Sequence, residues 1–137
     1  MDKPLRLNFL DHVAITVKDV GKSVEWYEKT IGLKKLTTQE WGDFPVMLVV
    51  RKSGIAIFPS EGESKNFSLH KTALRIKHFA FNVDNTNFEN AQRRFLARGI
   101  PFEIQDHYYF NSIYIQDLDG HIVELTTLKN GFKYFYN

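Results

Sequence analysis

Two short stretches, far apart in the chain, alternate apolar and polar positions with period two. In HVAITV, Val13, Ile15 and Val17 fall on one side and His12, Ala14 and Thr16 on the other. In HFAFNV, Phe79, Phe81 and Val83 oppose His78, Ala80 and Asn82. Period two sends successive side chains to opposite faces of a strand. Each stretch passes a polar turn and enters a 3.6-residue pattern. SVEWYEKTIG puts Val24, Tyr27 and Ile31 on one stripe, with Ser23 as candidate N-cap and Gly32 as stop. TNFENAQRRFLARG repeats this with Phe88, Ala91 and Phe95, capped by Thr86 or Asn87 and stopped at Gly99. Further strand-like runs follow, MLVVRKSGIAIF and IYIQDLDGHIVE, with KSG (Lys52–Gly54) and DLDG (Asp117–Gly120) as matching hairpin turns.

The two halves align with each other. An offset of 66 residues carries His12 onto His78, Ala14 onto Ala80 and Val17 onto Val83. The same offset, without a gap, carries Met47 onto Ile113, Gly54 onto Gly120 and Phe58 onto Glu124. The pattern predicts a duplicated unit of strand, helix and further strands. Module one covers residues 8–60, a polar linker 61–75, module two 76–128, and an aromatic tail 129–137. The apolar strand faces pack on the helices. The opposite faces, small and polar, suit a cavity wall.

Duplication brings distant polar residues into relation. His12 and His78 occupy equivalent non-helix faces, and Glu124 is an acidic residue inside a strand, between Val123 and Leu125. If pseudo-twofold symmetry turns these faces to a common axis, two imidazoles and one carboxylate form a 2-His-1-carboxylate set. Fe(II) is the best match, and Mn(II), Zn(II) and Ni(II) suit the same donors. A bound cation also removes the cost of burying Glu124 unpaired.

Composition narrows the classes. The chain has 137 residues, 43% hydrophobic and 25% charged, with a formal charge of +2, close to balanced and without the basic stripe of a nucleic-acid binder. It has no cysteine, which excludes disulfides and thiolate metal sites. The longest aliphatic run, VMLVV, is too short to cross a bilayer, and the first residues show no signal-peptide core. No nucleic-acid or membrane partner is expected, and the cytoplasm is the default compartment.

On LDHVAITVKDVGKSVEWYEKTIGLK, IKHFAFNV and SIYIQDLDGHIVELTT, the chain resembles the vicinal oxygen chelate superfamily of glyoxalases, extradiol dioxygenases, fosfomycin-resistance thiol transferases and bleomycin-binding proteins. The resemblance implies an α+β fold of two βαβββ modules forming a metal-lined curled sheet. It places the metal positions on His12, His78 and Glu124. A fourth ligand, found at the end of the first unit in glyoxalases, would fall on Phe58 here, which argues against a four-ligand site. Spacing similar to extradiol dioxygenases marks His107 and Tyr114 as catalytic groups that hydrogen-bond a catechol-like substrate. Trp41, Phe58, His70 and Tyr109 are candidate substrate contacts. The main expectation is therefore an extradiol-type ring-cleaving dioxygenase, acting on a small molecule as a homodimer. The aromatic DHYYFNS stretch, without Lys or Arg, suits a flat ring better than an anion. The alternatives are a glyoxalase-type lyase or thiol transferase on the same metal triad, and a non-catalytic binder.

Overall fold

The computed structural model describes residues 3–36, 39–60 and 75–132. The chain divides into two compact units, residues 1–63 and 64–137. The α+β fold with two βαβββ units is the one observed.

In the first unit, β1 (His12–Val17) leads into α1 (Val20–Ile31), followed by β2 (Lys34–Leu36), a short 3-10 helix (Gln39–Trp41), β3 (Val46–Val50) and β4 (Ser53–Pro59). The sheet order is β1-β4-β3-β2, with β1 and β4 parallel and the other pairs antiparallel. The second unit repeats this with β5 (Phe79–Asn82), α2 (Asn85–Ala97), β6 (Glu103–Asp106), β7 (Phe110–Gln116) and β8 (Ile122–Leu128), in the order β5-β8-β7-β6. Again the outer pair β5 and β8 is parallel. Each sheet is open, and each helix packs on its own sheet, α1 on β3 and β4, α2 on β8.

The alternation read from the sequence sets the two faces of each sheet. Ile15 and Val17 are buried in the first unit, with Ile55, Ile57 and Leu48 in register beside them and Val24 and Tyr27 from α1. In the second, Phe88, Ala91 and Phe95 of α2 are buried, together with Ile113, Ile115, Val123 and Leu125 of the sheet. Tyr27 is fully buried, as its place on the helical stripe implies, and its ring meets that of Trp26 edge-on at 4.8 Å.

Two expectations are corrected. Both helices begin before the caps expected for them. Asp19 caps α1, its carboxylate accepting from the Lys22 amide at 3.0 Å, and Ser23 lies buried inside the first turn. Asp84 caps α2, accepting from the Asn87 amide at 2.7 Å. A carboxylate is as good a cap as a hydroxyl or amide, and each Asp stands one turn ahead of the apolar stripe. The C-terminal stop at Gly32 holds: it takes the left-handed conformation, φ 79°.

The second correction concerns the alignment of the halves. In the first unit Val50 pairs with Ser53, so the β3–β4 turn is Arg51–Lys52 and Gly54 lies within β4. In the second unit Gln116 pairs with Ile122, so the β7–β8 turn is the five residues Asp117–His121, and Gly120 lies inside it. The longer turn is held by Asp117, whose carboxylate accepts from the Asp119 and His121 amides. Gly54 and Gly120 are therefore not structural equivalents, and the ungapped alignment fails on both strands of the hairpin, where Met47 answers to Tyr114 and not to Ile113. In β1–β4 Ala14 pairs with Ala56, and in β5–β8 Ala80 pairs with Glu124. The register equivalent of Glu124 is Ala56; Phe58 corresponds to Thr126.

Gly54 is buried, and a Cβ there would stand 2.5 Å from the Leu48 carbonyl oxygen. The atoms it would meet belong to the Leu48–Val49 backbone, which cannot yield as a side chain can. Gly54→Ala is expected to cost about 1–3 kcal/mol by overpacking, read as a lower urea midpoint with an unchanged m-value.

Candidate functional site

The site is built on the face of the second sheet turned away from α2. Sheet pairing places Ala80, Glu124, Tyr114 and Glu103 in one row across β5-β8-β7-β6. The next row on the same face is Asn82, Thr126, Ser112 and Gln105. Residues paired across strands share a face, and those two apart along a strand share it too. The corresponding row of the first sheet is Ala14, Ala56, Met47 and Leu36. One copy of the unit thus carries polar groups on this face where the other carries apolar ones. Because Ala56 and not Phe58 answers to Glu124, the absence of a fourth ligand from the first unit rests on Ala56, whose methyl has no donor atom.

Glu124 is 7% exposed, and each of its carboxylate oxygens has a partner. Oε1 lies 2.9 Å from His78 Nε2. Oε2 accepts from Ser112 Oγ at 2.7 Å, and Ser112 Oγ also lies 2.9 Å from Thr126 Oγ1. Among the described residues, no buried side-chain nitrogen or oxygen lacks a hydrogen-bond partner. An acidic residue can occupy this strand position because Ala80 beside it leaves room and three polar neighbours replace water.

Tyr114 joins this cluster to a second histidine. Its hydroxyl is 2.8 Å from His107 Nε2 and also hydrogen-bonds with Glu124 and Ser112. Burial, then the negative charge of Glu124 and the hydrogen bond to it, push the Tyr114 hydroxyl above the usual tyrosine range. The Ser112 hydroxyl nearby works the other way, and Glu103 adds to the rise. Tyr114 is therefore a neutral phenol at physiological pH, able to donate. It also borders a cleft of about 550 Å³ whose walls include Pro101, Phe102, Glu103, Gln116 and Ile122.

His107 sits on a braced turn. Asp106 accepts from the Tyr108 amide at 2.8 Å and from Lys129 Nζ at 2.5 Å. These bonds, that of Lys129 first, hold the exposed Asp106 carboxyl below the usual range. Tyr108 has φ 70°, and the rings of Tyr108, Tyr109 and Phe132 pack together. The aromatic stretch does carry a cation close by, supplied by Lys129 just beyond β8, a contact that only strand pairing creates. Its charge is met by the Asp106 carboxylate.

The second unit thus brings together His78, Glu124, Tyr114 and His107. His12 belongs to the first unit, where it is partly exposed and its Nδ1 stands 2.7 Å from Asp11 Oδ1. That contact suits an Nδ1–H donor and leaves Nε2 as the nitrogen with a lone pair. Trp41, half exposed, and Phe58, half-buried on β4, are also in the first unit. Tyr109 packs against Tyr108 and Phe132. His70 lies outside the described residues. Sequence reasoning missed Ser112, Thr126 and Lys129. Ser112 was within reach of the period-two rule, since it is two residues from Tyr114 on the same strand.

An imidazole and a carboxylate meeting at hydrogen-bond distance fit two positions around a divalent ion of the Mn, Fe, Ni or Zn type. Among the described residues, no group of three or more His, Asp or Glu side chains stands close enough to hold one ion. Within the second unit the His78–Glu124 pair supplies two such donors. Among the described residues no helix is long and apolar enough to cross a membrane.

The model of the Glyoxalase/Bleomycin resistance protein/Dioxygenase superfamily matches residues 9–125. A metallothiol transferase FosB of Staphylococcus epidermidis is 25% identical over 139 aligned positions, covering 96% of this chain and 91% of that one. The FosB of Staphylococcus haemolyticus is 27% identical over 124, covering 86% and 82%. Among solved structures, a glyoxalase/dioxygenase from Nostoc punctiforme has a TM-score of 0.74 at 20% identity, covering 95% of this chain and 99% of that one. Lactoylglutathione lyase from Agrobacterium tumefaciens has a TM-score of 0.71 at 20% identity, covering 95% and 98%. At these identities the solved structures bear on the fold alone.

The raised Tyr114 pKa fixes a sign. A neutral phenol favoured in the folded state stabilises it below the ordinary tyrosine pKa, and this stabilisation is lost as pH rises through the higher folded value. In an alkaline absorbance titration of tyrosine, Tyr114→Phe should remove a component that titrates above the range of exposed tyrosines. If the lost component titrates at the ordinary value, the phenol is not in contact with an ionised Glu124.

Proposed function

The chain belongs to the Glyoxalase/Bleomycin resistance protein/Dioxygenase superfamily, and from that premise we propose that it is a metal-dependent transferase or lyase that joins a thiol to a small electrophile. The observation that carries this reading is the His78 Nε2–Glu124 Oε1 contact on the α2-distal sheet face, with the Tyr114 phenol bonded to the same carboxylate. The metallothiol transferases that resemble this chain over most of its length support thiol transfer ahead of ring cleavage.

In this reading His78 and Glu124 would hold the ion, and the family resemblance implies His12, its Nδ1 engaged by Asp11, as the third donor. The bound metal supplies Lewis acidity toward a substrate oxygen. Tyr114, held as a neutral phenol, donates a hydrogen bond to a substrate oxygen that gains charge. His107 Nε2, at 2.8 Å, exchanges a proton with that phenol and connects it to solvent. Small side chains at Ala80 and Asn82 leave the sheet face open for substrate. Leu5, Leu7 and Leu10, exposed ahead of β1, supply apolar surface for a homodimer.

The His107–Tyr114 pair favours a second reading, the extradiol-type dioxygenase expected from the spacing of these residues. An acid–base histidine hydrogen-bonded to a phenol serves a catechol equally well.

The test is reconstitution with Mn(II), Zn(II), Ni(II) or Fe(II) and incubation of cysteine or glutathione with fosfomycin, following adduct mass. Methylglyoxal–glutathione adduct and catechols form parallel arms. Metal-dependent thiol addition or lyase turnover is expected. His78→Ala and Glu124→Gln should each lower it by more than the ~10–100-fold typical of losing an outer-shell partner. Yellow ring-cleavage products with Fe(II), and no thiol chemistry, would establish the dioxygenase instead. A protein that binds no first-row metal would be a binder.

A further inference from the structure

Ser112 has no role assigned to it in the sequence, yet it is fully buried and its hydroxyl donates to Glu124 Oε2 at 2.7 Å. It stands on β7 opposite Thr126, and Glu124 lies two residues before Thr126 on β8, on the same face. A serine side chain is too short to cross to the diagonal position; the longer glutamate reaches back to it. The direction of the bonds follows from proton count. Ser112 has one hydroxyl proton, and an ionised carboxylate only accepts. The Ser112 proton therefore goes to Oε2, and the 2.9 Å contact with Thr126 Oγ1 uses a Ser112 lone pair with Thr126 donating. A strand-to-strand chain, Thr126 to Ser112 to Glu124, thus ends on one oxygen of the carboxylate. The other, Oε1, is turned to His78 Nε2 at 2.9 Å. The two oxygens are chemically distinct before any ligand arrives.

We infer that Ser112 is a positioning residue that makes Glu124 a one-oxygen metal donor: it occupies Oε2 and leaves Oε1 to share an ion with His78. The inference rests on the metal reading above and adds to it how the carboxylate is oriented. A carboxylate with one oxygen tied to a buried hydroxyl cannot swing to chelate with both without breaking that bond. Breaking it costs a fully buried hydroxyl its bond to a charged group. The shared hydroxyl chain also fixes the carboxylate plane, because Ser112 and Thr126 are themselves set by the β7–β8 pairing.

The test uses the full chain and Mn(II), titrated by the electron paramagnetic resonance signal of the free ion. Infrared difference spectra of loaded against metal-free protein report whether one carboxylate oxygen or two bind. Ser112→Ala is expected to weaken Mn(II) binding ~10–100-fold, the range for outer-shell partners, and to narrow the separation of the Glu carboxylate stretches toward two-oxygen binding. Thr126→Val removes a hydrogen bond from the same chain and leaves the Ser112–Glu124 bond intact, so its affinity should change less than about threefold and its spectrum not at all. Should Ser112→Ala not fold, Ser112→Cys keeps the volume with a weak donor and should show the same spectral change. Equal losses in Ser112→Ala and Thr126→Val, with no spectral change, would reduce Ser112 to a packing role and overturn the inference. Mn(II) binding to wild type that Glu124→Gln leaves unaltered would overturn the metal reading itself, and this inference with it.

Discussion

The register of β8 between β5 and β7 is the constraint on which the rest depends. Side chains alternate across a strand, so a slip of one residue would carry Glu124 from the polar face into the core against α2, and bring Val123 and Leu125 out. Two features pin that register. Val123 and Leu125 must be buried with Ile113 and Ile115, and the five-residue turn Asp117–His121 is closed by the Asp117 carboxylate. Hydrophobic burial and turn chemistry therefore decide, without reference to any ligand, that a carboxylate faces His78, Ser112 and Tyr114.

The two units share topology and differ in what they place on the face away from the helix. The first presents Ala14, Ala56, Met47 and Leu36 in one row, and the second Ala80, Glu124, Tyr114 and Glu103. The core faces remain alike because both must cover a helix. The other faces answer to no such requirement and have diverged. The conserved feature on both is the histidine at the start of the first strand of each unit, His12 and His78. One is braced by Asp11, the other by Glu124.

The polar cluster is rigid for the same reason that it is costly to disturb. Each buried oxygen is matched, and removal of one partner leaves another without one. Tyr114 is the junction: it meets His107 on the exposed side, Glu124 and Ser112 on the buried side, and the neighbouring cleft. His107 in turn is held by a turn that Lys129 and the Tyr108, Tyr109 and Phe132 rings brace from outside. Burial and the charge of Glu124 together keep the phenol neutral, which leaves it a hydrogen-bond donor.

Periodicity alone determined the strands, the helices, their buried stripes and the duplication, because alternation and the 3.6-residue repeat are local consequences of backbone geometry. The repeat also singled out His78 and Glu124, whereas His107 and Tyr114 were marked only by the family resemblance. The helix starts at Asp19 and Asp84 were readable but competed with nearby Ser, Thr and Asn, which cap by the same physics. Only the tertiary structure decided the hairpin register that replaces Phe58 by Ala56 as the counterpart of Glu124. The same holds for Ser112 on Glu124 and Lys129 on Asp106. Turn length sets which residues of two strands lie opposite each other, and a three-residue difference between otherwise similar turns leaves no trace in hydrophobic pattern. Pairing between strands is a long-range property, so the identity of a buried oxygen's partner is fixed only when the sheet closes around it.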